Sequence, residues 1–257
     1  MIINQLLSIV KLNFKDAIHD RASYTILISG LSMLFISIVF GKMAVGGGQR
    51  IIQNMGFWVF GLWGVFSVMY YGTKNLKNDI ERKTIYLILS RPVSRPVYII
   101  GLFLSTVTIL FFLFLIFSAL WICILTLWNI PFSSFHFIAL GFIFGEWVLL
   151  ASLSLFFITF TYPFTHNFFI FCIYLMGHLS QNLLRYAELT DIQWLKPVFN
   201  LLYFILPNLE ALNFRTNALY GEPPEQKVLW FACLVLACWV SAGVLSANIL
   251  FLNKKIR

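Results

Sequence analysis

Apolar and polar positions are arranged in two different ways along this chain. Over residues 2–19 they follow a helical period: Ile3, Leu7, Val10, Phe14 and Ile18 make one stripe, and Asn4, Ser8, Lys11, Lys15 and His19 the opposite one. That pattern predicts an amphipathic helix over 1–21, suited to lying in a membrane interface with its basic side wet. From residue 22 onward the apolar positions run together in blocks of membrane-crossing length, for which roughly 17–25 residues suffice. The blocks predict spans over 22–42, 55–74, 97–128, 135–160, 167–184 and 228–252. Residues 97–145 contain no Lys, Arg, Asp or Glu and are too long for one crossing; the turn-like stretch Asn129-Ile130-Pro131-Phe132-Ser133-Ser134 divides them. Residues 197–209 are apolar but short and interrupted by Pro207, so 185–227 reads as an outer segment, interfacial or re-entrant, between the last two spans. The predicted fold is a single all-α integral membrane domain of six transmembrane helices, with a cytoplasmic helical loop over 75–96.

Composition agrees with that pattern. Of 257 residues, 60% are hydrophobic and 11% charged, and the mean hydropathy is +0.85. A soluble domain is about 45–50% apolar and about 25% charged, so no soluble core of this length would hide so much apolar surface. The net charge of +8 does not form a nucleic-acid footprint, because the basic residues sit in short loops between apolar runs. Six spans with the N-terminus inside put 12 of the 18 Lys and Arg on the cytoplasmic side, which is the positive-inside bias. Both termini are therefore expected in the cytoplasm. The four cysteines lie in apolar runs and form no CxxC pair, so neither zinc nor a disulfide framework is indicated.

The most informative hydrophilic stretch is the loop after span two, from Asp79 to Arg95. It opens with acids at Asp79 and Glu81 and carries Ile80, Ile85, Ile88 and Leu89 as apolar residues. It stops at Arg91-Pro92, so both ends complement a helix dipole. Two readings fit: a solvated loop helix whose charges set topology, or a helix shaped to seat in a groove on a partner. The stretch resembles the signature loop of the permease subunits of type-two ABC exporters. Glu81, Thr84, Ile85, Leu87, Leu89, Pro92, Val93, Ser94, Arg95 and Gly101 match that pattern. Lys83 stands where the family usually has Gly, and Leu102 where it often has Lys.

The resemblance implies a permease with no catalytic chemistry of its own. It implies two permease copies, expected as a homodimer in the inner membrane of a prokaryote, paired with two ATPase subunits that hold ATP and Mg. Glu81, Arg82, Thr84, Ile85 and Leu89 would contact the ATPase, with Arg91 and Arg95 as flanking anchors. The chain carries no GxxxxGK[ST] phosphate loop, in keeping with hydrolysis on another polypeptide.

Polar residues inside the predicted spans give a second set of candidates. Glu146 lies well within span four, and a carboxylate there costs roughly 2.5–3.5 kcal/mol unless it is paired or faces a wet cavity. His178, Gln181, Asn182 and Arg185 share one helical face of span five, so a translocation path with Glu146 near His178 is expected. The bland alternative is a span growing polar as it leaves the bilayer, with Glu146 holding helices together. An intramembrane enzyme finds little support: there is no HExxH and no GxSxG, and His19, His136, His166 and His178 are far apart. A secondary transporter stays open, although no internal repeat is visible.

Overall fold

The structure is a computed structural model and describes residues 2–44, 46–81, 94–190 and 194–253. These residues form α1 (Ile2–Ile18), α2 (Arg21–Met43), α3 (Gly48–Glu81), α4 (Arg95–Leu127) and α5 (Ser134–Ile158). They continue with α6 (Pro163–His178), α7 (Ser180–Leu189), α8 (Leu195–Ile205), a 3-10 turn (Glu210–Leu212), α9 (Arg215–Tyr220) and α10 (Gln226–Asn253). Among the described residues, five helices are long and apolar enough to cross a membrane: α2, α3 up to Leu76, α4, α5 and α10. The chain is a multi-pass, all-helical membrane protein.

Four of those five helices lie within two residues of the predicted spans at each end, because a long apolar run bounded by turn residues fixes a helix locally. The α4–α5 turn closes at Asn129, whose φ of 52° is a left-handed conformation that Asn tolerates. His136 then caps α5, its Nδ1 accepting the Ser133 amide at 3.1 Å. The predicted span two extends much further than expected: α3 begins at Gly48 and runs on to Glu81.

The predicted fifth span differs in kind. Helix α6 stops at His178, Leu179 takes φ −91° and ψ 2°, and a separate amphipathic helix α7 starts at Ser180. At 16 residues α6 is about 24 Å long, short of a hydrocarbon core of about 30 Å.

Direction follows from paired contacts. Gly145 meets Leu236, and seven residues further along both helices Ser152 meets Gly243, so α10 runs parallel to α5. Helix α6 runs antiparallel to α5, with His166 on Ser154 and His178 on Glu146. The short α6 therefore makes the return between two parallel helices. Helix α5 is the most enclosed of the five long helices, whereas α2 and α10 present large apolar side chains outward.

Close helix contact depends on glycine. The indole of Trp121 lies over Gly56 and that of Trp147 over Gly64, so α3 receives a buried tryptophan from α4 and another from α5. Helix α1 packs along α4 in the same direction: Ile9 covers Gly101, Asn13 donates to Ser105 Oγ at 3.1 Å, and the Phe14 and Phe112 rings are 4.8 Å apart. The predicted apolar stripe of α1 is thereby divided. Val10 and Phe14 turn toward the bundle, while Ile3, Leu7 and Ile18 remain exposed.

Asp20 fixes the corner between α1 and α2. One carboxyl oxygen accepts from the Ala22 amide at 3.3 Å; the other accepts from Lys74 Nζ at 2.7 Å and from the Tyr70 hydroxyl. Burial pushes this carboxyl up, but the bonds from Lys74, Tyr70 and Ala22 together outweigh it and hold the group below its ordinary range.

Two outcomes follow for the purified protein in detergent. Gly64→Ala places a methyl in the Trp147 indole and should cost about 1–3 kcal/mol in equilibrium unfolding. Gly141→Ala, where a Cβ would meet nothing within 4 Å, should cost nothing. Because its folded-state pKa is lowered, Asp20 contributes stability that is complete above about pH 4 and is lost as pH falls further. A melting-temperature series against pH should lose that acid-side slope in Asp20→Asn.

Candidate functional site

Glu146 stands twelve residues from each end of α5, in the middle of the central helix, with its side chain 4% exposed. A carboxylate at this depth needs partners. Three elements supply them. His178, the last residue of α6, puts Nε2 2.7 Å from Glu146 Oε1. Arg215, the first residue of α9, puts Nη2 3.6 Å from Glu146 Oε2. Glu210, opening the 3-10 turn, puts Oε2 3.5 Å from His178 Nδ1. Tyr174, one turn before His178, crosses the imidazole edge-on with 4.8 Å between ring centres.

The segment that brings Glu210 and Arg215 inward is built to enter the bundle. Leu209, Leu212, Phe214 and Ala218 are buried, and the Phe214 ring lies 4.5 Å from Phe142 of α5. Its irregular backbone finds partners at each step. The Leu209 amide donates to the Gly177 carbonyl at 3.2 Å. Asn208 Oδ1 accepts from Ser180 Oγ at 2.8 Å and from the Ala211 amide at 3.1 Å. Asn213 donates to Glu210 Oε1 at 2.8 Å. Non-helical backbone at membrane depth is tolerated only where protein covers it in this way. Gly177 is required here, since a Cβ would come 2.7 Å from Leu209 Cγ and 2.9 Å from the Pro207 carbonyl oxygen.

Sequence candidates sort unevenly against this geometry. Glu146 and His178 are brought together as expected. Asn182 and Arg185 are not: the interruption at Leu179 removes the continuous face, and both are exposed on α7. Gln181 lies on α7, its side chain outside the described residues. Glu81 ends α3, its side chain likewise undescribed, and Arg82, Thr84, Ile85, Leu89 and Arg91 lie outside the described residues. Arg95 opens α4 and donates from Nη1 to the Leu252 carbonyl at 2.9 Å, tying the loop's end to α10.

Glu210, Arg215 and Tyr174 were missed by the sequence reading. The inserted piece is 207–218 rather than the more apolar 197–205, which forms α8 and buries no residue. The available signal was Leu209, Leu212, Phe214 and Ala218 at near-helical intervals around two charges and two asparagines.

A second polar group lies between α3, α5 and α6. His166 is fully buried, with Nε2 2.8 Å from Ser154 Oγ and Nδ1 2.9 Å from Asn167 Oδ1, which also accepts from Thr73 Oγ1 at 3.1 Å. Among the described residues, no group of three or more His, Cys, Asp or Glu is placed to hold a metal ion. No protein-family model matches the sequence, and no curated protein matches it either.

With His178 doubly protonated the four groups sum to zero charge. Single substitutions break that balance. Glu146→Gln should destabilise by roughly 3–5 kcal/mol, as removal of one partner from a buried ion pair does. Combined with Arg215→Met it should cost clearly less than the sum of the two single variants, and unfolding titrations of all three measure the difference.

Proposed function

We propose that this chain is the permease subunit of an ATP-binding cassette exporter, moving its substrate across the inner membrane of a prokaryote on ATP hydrolysed by separate subunits. The observation that carries the reading is the Asp79–Arg95 motif, which in sequence joins the two longest helices among the described residues. In this reading the loop helix seats in the ATPase, and closure of two ATPase subunits on ATP and Mg moves two permease copies. Glu81, Arg82, Thr84, Ile85 and Leu89 form the contact, flanked by Arg91 and Arg95. Both termini then lie in the cytoplasm with the loop.

The packing around the loop supports this role. Leu76 of α3, Tyr98, Ile99 and Leu102 of α4, Leu155 and Ile158 of α5, and Ala247 and Phe251 of α10 form a separate buried cluster at this end. The Tyr98 and Phe251 rings are 5.8 Å apart, Arg95 is bonded to Leu252, and Ile9 of α1 rests on Gly101. A displacement delivered where the loop joins α4 therefore has a close-packed route into α1, α5 and α10.

A second reading, a secondary transporter, draws on the charged cluster beside an irregular inserted segment, an arrangement that ion-coupled carriers use. Affinity purification separates the two, since an exporter permease should bring an ATPase with it. Opposite-charge substitutions at Glu81 and Arg82 should then abolish permease-stimulated ATP hydrolysis while leaving the permease folded. Unaltered stimulation would remove the loop from the coupling role.

A further inference from the structure

The chain's buried histidines differ in what their ring nitrogens face. His136 Nδ1 accepts an amide proton from Ser133, which a neutral ring does. His166 faces a carbonyl oxygen of Asn167 on one side and the Ser154 hydroxyl, which can donate, on the other; a neutral ring satisfies both. His178 faces carboxylate oxygens on both sides, Glu146 Oε1 at 2.7 Å and Glu210 Oε2 at 3.5 Å. A neutral imidazole would set a bare lone pair against one of them. Only the imidazolium offers an N–H to each.

We infer that His178 is an intramembrane proton-binding site, and that its proton holds the inserted segment 206–220 against α5 and α6. The groups facing the ring are Glu146 of α5, Glu210 of the 3-10 turn, Arg215 of α9 and Tyr174 of α6 itself. Glu146 already pairs its second oxygen with Arg215, and the contact to Glu210 ties α6 ionically to the inserted turn. The quartet is neutral with the proton bound. Its loss leaves one net negative charge and a lone pair facing a carboxylate, in surroundings where His178 is 19% exposed and Glu146 4%. The contact most weakened is the longer one, to Glu210, whose side chain is the more exposed of the two carboxylates at 31%. Segment 206–220 then keeps the Leu209 amide bond, the Phe214–Phe142 stack and the Arg215–Glu146 pair, but loses its ionic tie to α6. The site therefore couples proton occupancy to the seating of a re-entrant element. It does so whether the chain works with an ATPase or alone, so the inference does not rest on the exporter reading.

The test uses the full chain in detergent micelles with imidazole-15N histidine, without any ATPase. One of the four histidines should carry protons on both nitrogens at about pH 7, and that signal should vanish in His178→Gln. In Glu210→Gln the same ring should give up its second proton at a pH lower by about one or more. Amide hydrogen exchange over 206–220 should quicken by about tenfold or more in either variant relative to wild type at about pH 7, with α5 unchanged. Should His178→Gln fail to fold, Glu210→Gln still assigns the ring by its displaced titration. A singly protonated His178 at about pH 7, a titration unmoved by Glu210→Gln, or unchanged exchange over 206–220 would each overturn the inference.

Discussion

A carboxylate at the centre of an apolar helix bundle cannot stand alone, and one half of this protein is organised around that constraint. Glu146 sits mid-way along α5, the most enclosed helix, where solvation cannot offset its charge. Its two oxygens are met from different directions, by the end of α6 and by the start of α9. Each supplies its partner from a terminus: His178 ends α6 and Arg215 opens α9. That explains why α6 ends where it does: His178 is its last helical residue, and Gly177 lets Leu209 and Pro207 pack against the same turn.

Ending α6 at mid-bundle leaves the space beyond it to be filled. The chain fills it with irregular backbone whose Leu209, Ala211 and Arg215 amides donate to the Gly177 carbonyl, Asn208 and Asn213. Helix α8, with the more apolar sequence, stays at the surface beside α7 and buries nothing. Hydrophobicity is thus not what selects the inserted segment. Glu210 and Arg215 enter because Glu146 and His178 are already there, and Leu209, Leu212 and Phe214 supply the apolar contacts that offset the cost of bringing them in.

The opposite end follows a different logic. No cluster of buried charge occurs there among the described residues; instead an apolar group led by Tyr98 and Phe251 locks the ends of α3, α4, α5 and α10 together, and Asp20 pins the α1–α2 corner to Lys74. Close packing holds this end together, while the His178–Glu210 contact at the other depends on a single proton.

Much of the helix inventory was legible in the sequence. Apolar run length set α2, α4, α5 and α10 to within two residues, and the Asn129–Ser134 turn divided α4 from α5, because both depend on neighbours in the chain. Glu146 and His178 could be paired because Glu146 is the acidic residue of its apolar run and His178 opens the polar face of the next. Where α6 stops, which part of 185–227 turns inward, and the recruitment of Glu210 and Arg215 were decided only by tertiary structure. Those outcomes depend on how charges far apart in sequence neutralise one another inside a low-dielectric bundle, and local periodicity reads a buried, paired charge no differently from a solvated one.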